Sequence, residues 1–212
     1  MAIEWIIFDF DGTIADTHRP FINILNRLSD EFGYQPVQED DISRLRGLSS
    51  REIVQKADIS LLQIPFLLKR AKTELNKDIV HVLPITGMDR AIQILHQRGY
   101  KLGILTSNIQ ENVNIFLQKN HLSELFEFVH SGNTLFGKDR LLKKIFQQYD
   151  INPDTTVYVG DETRDIEAAK NSGIRGVAVT WGFNSREILA EHEPDFLIAN
   201  VDEFLAAIEG SQ

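Results

Sequence analysis

Apolar positions along the chain fall into two patterns. Short, nearly continuous apolar runs, "WIIFDF", "KLGILTS", "FEFVHSG", "TVYVGD" and "GVAVTWG", have the length and content of strands covered on both faces, with "DFLIA" as a candidate sixth. Between them, apolar residues recur at helical spacing. "IQENVNIFLQKNHL" follows Ser107, "KDRLLKKIFQQY" follows Gly137, and "TRDIEAAKNSG" follows Asp161, the last ending on a Gly suited to a helix terminus. Strands alternating with helices of this length predict crossover units and hence an α/β, doubly wound (Rossmann-like) parallel sheet, which binds ligands beyond the carboxyl ends of its strands.

One stretch departs from the alternation. Residues 16 to about 83 hold no convincing strand but several helical faces, such as Phe21, Ile24, Leu25, Leu28 and Phe32, and then "LLQIPFLLKRAKTEL". The expected organisation is a core of residues 1–15 and 84–212 with an inserted helical cap over 16–83. The insertion leaves just after Asp11 and returns before "LPITGMDRAIQIL", so it begins where the polar strand end lies. It is placed to fold over that end as a lid; extra helices packed beside the sheet are the plainer alternative.

That strand end raises a chemical question. In "FDFDGT", Asp9 and Asp11 stand two positions apart, so in extended chain they project from one side. Like charges crowded there need a metal ion, a shared proton or a solvated cleft. The other strand ends add Thr106 and Ser107, Lys138 at a helix start, and Asp161, Glu162 and Asp165. In a parallel sheet these converge on one rim. Several acids on one rim suit a hard divalent cation, and Mg2+ is the usual occupant when phosphate oxygens complete its shell. Thr106, Lys138 and the backbone N–H groups of "DGTIAD" suit the remaining phosphate oxygens. Asp9 is then the nucleophile toward phosphorus, and Asp11 the acid that protonates the leaving alcohol and later activates water.

Composition narrows the field. The chain has 212 residues, 42% hydrophobic and 25% charged, enough for one domain or a core with a modest insertion. A formal charge of −9 argues against nucleic acid or a polybasic membrane surface as partner. Absence of cysteine excludes disulfides, thiolate metal sites and a catalytic thiol, and the six histidines lack metal-ligand spacing. "MAIEW" has no basic region leading into an apolar stretch, and no run approaches the roughly 20 residues of a membrane span, so a cytoplasmic location is expected. Nothing in the sequence speaks to oligomeric state.

Taken together, "DFDGT", "GILTS", Lys138 and "VGDETRD" resemble the four motifs of the haloacid dehalogenase-like hydrolase superfamily, in order and over nearly the whole chain. The helical insertion and "AVTWGFNSREIL" are similar to its phosphoglycolate phosphatase-like members. The resemblance implies a Mg2+-dependent phosphatase acting on a small phosphorylated metabolite. Thr106, Ser107 and Lys138 would bind the phosphoryl group, and Asp9, the Asp11 carbonyl and Asp161 would hold the metal. Thr13, Glu162 and Asp165 are expected in support. Glu162 stands where those members usually carry Ser, which touches the metal's surroundings and the substrate more than the reaction class. Related caps contact substrate from a loop like "RLRGLSSRE", which nominates Arg46 and Arg51.

Other readings fit less well. "GNTLFGKD", Gly132 to Asp139, matches G-x-x-x-x-G-K, but Asp139 stands where a phosphate loop needs Ser or Thr for Mg2+. That reading also leaves Asp9 and Asp11 idle. The dehalogenase branch typically lacks the second acid. A sugar phosphomutase of the β-phosphoglucomutase type would use the same residues and differ only in what the cap admits. A non-catalytic binding module would have no need of the full set.

Overall fold

The computed structural model describes residues 2–56, 59–132 and 137–210. Six strands form one sheet, all neighbours parallel: β1 (Trp5–Phe8), β2 (Lys101–Thr106), β3 (Phe128–Ser131), β4 (Thr156–Gly160), β5 (Arg175–Val179) and β6 (Phe196–Ile198). Their order is β3-β2-β1-β4-β5-β6. Every apolar run expected to be a strand is one, including "DFLIA". The chain progresses outward from β1 in one direction to β3, then resumes on the other side with β4. The switch of direction lies between β1 and β4, where Phe8 pairs with Val159 and where an open parallel sheet leaves a crevice.

Alternation along β1 explains why its run is apolar throughout. Ile6 and Phe8 enter the core on one face with α5 (Met88–Gln97), α6 (Gln110–Lys119) and α10 (Val201–Glu209). Trp5 and Ile7 enter the opposite face with α7 (Lys138–Tyr149) and α8 (Thr163–Ser172). Both faces are covered, as a parallel sheet requires. A short α9 (Arg186–Glu191) follows β5.

Between β1 and α5 lie α1 (His18–Phe32), α2 (Glu39–Arg46), α3 (Ser50–Lys56) and α4 (Ile64–Asp78). The apolar stripe read from the sequence is the packed face of α1: Ile24 and Leu28 are buried, and Phe21, Leu25 and Phe32 pack against the same core. From α4, Leu67, Ala71 and Leu75 at a spacing of four join it. The two ends of this segment lie side by side, with Asp16 N donating to the Leu83 carbonyl at 2.9 Å and Ile85 N to the Ile14 carbonyl at 2.8 Å. Among the described residues no helix is long and apolar enough to cross a membrane. Residues 133–136, the middle of the stretch resembling a phosphate loop, lie outside those described, as do 57–58 and 211–212.

Phe8 is fully buried and meets Phe204 and Phe126 edge-on, with ring centroids 5.9 and 6.4 Å away. Phe8→Ala should lower the free energy of unfolding by about 3–5 kcal/mol through the cavity it leaves, measured by urea denaturation.

Candidate active site

The rim at the carboxyl ends of β1, β2 and β4 is built by the "DFD" alternation. Phe10 turns into the core and stacks edge-on against Phe116 at 5.0 Å. Its flanking acids turn the other way. Asp9 continues β1, its N–H donating to the Val159 carbonyl at 2.8 Å, and its side chain is buried. Lys138 Nζ, buried at the start of α7, sits 2.8 Å from Asp9 Oδ2 and 2.6 Å from Asp165 Oδ1. Burial opposes the lysine's charge, but Asp165 and Asp9 outweigh it and hold its pKa well above the usual value. Asp9 Oδ1 is buried and has no hydrogen-bond partner among the described residues.

Asp11 accepts from Asn108 Nδ2 at 3.0 Å. Burial, then the charge of Asp9, pushes its carboxyl up to about 6. Asn108 is itself held from behind, its Oδ1 accepting from Asn112 Nδ2 at 2.9 Å. Its N–H donates to Thr106 Oγ1 at 3.0 Å, which leaves the hydroxyl hydrogen of Thr106 to donate elsewhere.

Asp161 follows β4 and is fully buried. Thr13 Oγ1 donates to its Oδ1 at 2.8 Å, and Phe183 N donates to its Oδ2 at 2.7 Å. Two glycines make this possible. A Cβ on Gly182 or on Gly12 would collide with the Asp161 carboxylate, and Gly12 also sits at φ 73°. Asp165 closes a capping box on α8, accepting from Glu162 N at 3.1 Å.

One oxygen from each of Asp9, Asp161 and Asp165 lies within 4.8 Å of the others. Burial raises Asp161 well above the usual carboxylate range, and Glu162, Asp165 and Asp9 add to it. Burial likewise lifts Asp165 to about 6, Lys138 opposing and Asp9 reinforcing the rise. Three buried carboxylates offering only oxygen donors fit an all-oxygen site for a hard divalent cation.

Glu162 is engaged away from this cluster. Its carboxylate accepts from Ser50 Oγ at 2.9 Å and pairs with the half-buried Arg164. Neighbouring ties join the insertion to the loop before α9: Asn184 Nδ2 to the Leu48 carbonyl at 2.9 Å, and Ser185 N to the Arg46 carbonyl at 2.8 Å. The Arg46 side chain lines a cavity between insertion and rim, and its guanidinium donates to the Thr180 carbonyl at 3.2 Å. Arg51 instead reaches Glu167 at 3.1 Å, with its side chain 64% exposed, and does not line the cavity. Ser107 does line it.

Sequence reasoning passed over Asn108, Gly182 and Phe183, and also Lys72. This last residue comes from α4 beside the buried stripe, and its ammonium donates to the Ser107 carbonyl. Burial lowers its pKa, with Asp11 pulling the other way. Its one sequence signal was a lysine adjoining Ala71 on an apolar face.

A family model described as haloacid dehalogenase-like hydrolase matches residues 6–179. A phosphoglycolate phosphatase from Synechococcus elongatus is 39% identical over 206 residues, spanning 97% of each chain. A pyrophosphatase, PpaX, from Anoxybacillus flavithermus is 29% identical over 212 residues, spanning 98% of each. Among solved structures, a haloacid dehalogenase-like family hydrolase from Streptococcus pneumoniae superposes with a TM-score of 0.80 at 22% identity, covering 97% of this chain and 98% of its own.

Gly182→Ala should force Asp161 aside and, were these acids to hold a divalent cation, weaken its binding by about 10–100-fold, the cost typical of disturbing the support of a metal ligand. Titration calorimetry on the folded variant reads it directly.

Proposed function

This chain belongs to the haloacid dehalogenase-like hydrolase family, and from that premise we propose that it is a Mg2+-dependent phosphatase. It hydrolyses a small phosphate monoester, with phosphoglycolate the leading substrate, through an aspartyl-phosphate intermediate. The observation that carries this reading is the division of labour within Asp9: Oδ2 is held by Lys138, while Oδ1 is buried with no hydrogen-bond partner among the described residues. An oxygen so placed is oriented and unsolvated, as a nucleophile in a short-lived covalent step should be.

Asp9 Oδ1 attacks phosphorus in line as the ester P–O bond breaks. The Asp11 carboxyl gives its proton to the departing alkoxide. Water then attacks the acyl phosphate, Asp11 takes the water's proton, and inorganic phosphate leaves with Asp9 restored. Lys138 keeps Asp9 oriented, and the Thr106 hydroxyl and the N–H groups beyond it bind phosphoryl oxygens. Asp9, Asp161 and the Asp11 carbonyl would hold Mg2+, with Asp165 and Thr13 supporting them. When bound, the cation would offset the charge of the phosphate dianion beside these carboxylates. Residues 16–83 act as a cap over a core of 1–15 and 84–212, and the ties from Ser50, Leu48 and Lys72 to the core support a closed arrangement. The phosphoglycolate phosphatase at 39% identity favours a two-carbon acid as leaving group.

Phosphate release from a panel containing phosphoglycolate, pyrophosphate and a sugar phosphate should require Mg2+ and stop on chelation; turnover that persists in chelator removes the metal from the account. Asp9→Asn is expected to fold and lose turnover by several orders of magnitude. Asp11→Asn should slow alkyl phosphates far more than activated aryl phosphates, and equal losses on both would contradict leaving-group protonation.

A further inference from the structure

We propose that the cavity behind the Asp9 and Asp11 rim receives a hydrocarbon leaving group, so that phosphate monoesters of alcohols with an apolar body are substrates alongside phosphoglycolate. This rests on the phosphatase reading and extends its substrate class. The cavity measures about 380 Å³ and is lined by Asp11, Ser107, Lys72 and Arg164 together with apolar side chains of the insertion. That is within the roughly 300–1,000 Å³ of sites that enclose a drug-sized ligand. A two-carbon acid would fill only part of this cavity.

Its wall explains why the insertion packs unevenly. Helices α1 and α4 bury Ile24, Leu28, Leu67, Ala71 and Leu75, whereas α2 buries no residue and α3 only Ser50. The apolar side chains of α2 and α3 do not lack for neighbours; they stand across a void. Leu25, Val37, Ile42, Leu45, Ile53 and Leu68 all line it and are all half-buried. A hydrocarbon seated there would give these side chains the dispersion contacts and transfer free energy of burial.

The occupant is tied to the reaction by continuity. Asp11, which protonates the ester oxygen, lies in the same lining as the apolar wall. With phosphorus at Asp9 and the ester oxygen at Asp11, the alcohol's carbon chain extends into the cavity. The chemistry is unchanged: the P–O bond breaks, the Asp11 proton passes to the alkoxide, and water supplies the hydroxyl of inorganic phosphate.

Binding of n-alkylphosphonates from methyl to hexyl, whose C–P bond cannot be hydrolysed, tests the cavity separately from turnover. With Mg2+ present, titration calorimetry should show Kd falling about fourfold per methylene, the ratio given by roughly 0.8 kcal/mol per buried CH2. Leu68→Trp, which fills part of the void, should flatten the series. The kcat/KM values of the matching n-alkyl phosphates should climb in parallel. A Kd independent of chain length, while phosphoglycolate is still turned over, overturns this inference and leaves the phosphatase standing. A sloping binding series with no phosphate released from any ester overturns the phosphatase reading and leaves the cavity's preference intact.

Discussion

Three buried carboxylates, those of Asp9, Asp161 and Asp165, approach within 4.8 Å of one another at the end of a parallel sheet, and Lys138 reaches only two of them. At an effective dielectric of about 20, each close like-charged pair costs on the order of 4 kcal/mol. That repulsion is the constraint around which the rest is organised. Repulsion adds to burial in raising Asp161 and Asp165 above the usual carboxylate range, and Asp161 also accepts from the Thr13 hydroxyl and the Phe183 N–H. It also leaves room for one more positive charge.

The fold brings the acids together by topology. Asp9 ends β1 and Asp161 ends β4, neighbours in space though far apart in sequence, because the sheet reverses its direction of growth between them. The loop after β5 reaches over the same point: Gly182 lets the backbone close on Asp161, Phe183 donates to it, and Asn184 holds the loop carrying Leu48. Glu162 links the acid rim to the insertion through Ser50. Contacts from the insertion thus reach residues adjoining the acid cluster, and the cavity it lines also takes in Asp11 at the same rim.

Much of this was legible in the residues themselves. Strands buried on both faces read as apolar runs, and the "DFD" alternation turns Asp9 and Asp11 away from the core residue Phe10. The order of motifs along the chain identified the family, which the match over residues 6–179 shows. What escaped were side chains whose importance exists only in three dimensions. Asn108 looks like any turn residue until its amide is seen on Asp11. Gly182 matters because of a carboxylate 21 positions earlier, and Lys72 because α4 crosses the end of β2. Arg46 and Arg51 could not be distinguished by sequence, since five residues of loop and helix turn one guanidinium toward Thr180 and the other toward Glu167.

The central claim is that a divalent cation resolves the crowding of these acids. Anomalous diffraction from crystals grown with Mn2+ in place of Mg2+ would test it most directly. The account predicts a peak at metal–oxygen bonding distance from the carboxylates of both Asp9 and Asp161. A fully occupied ion elsewhere, or none at saturating Mn2+ with both side chains ordered, would contradict it.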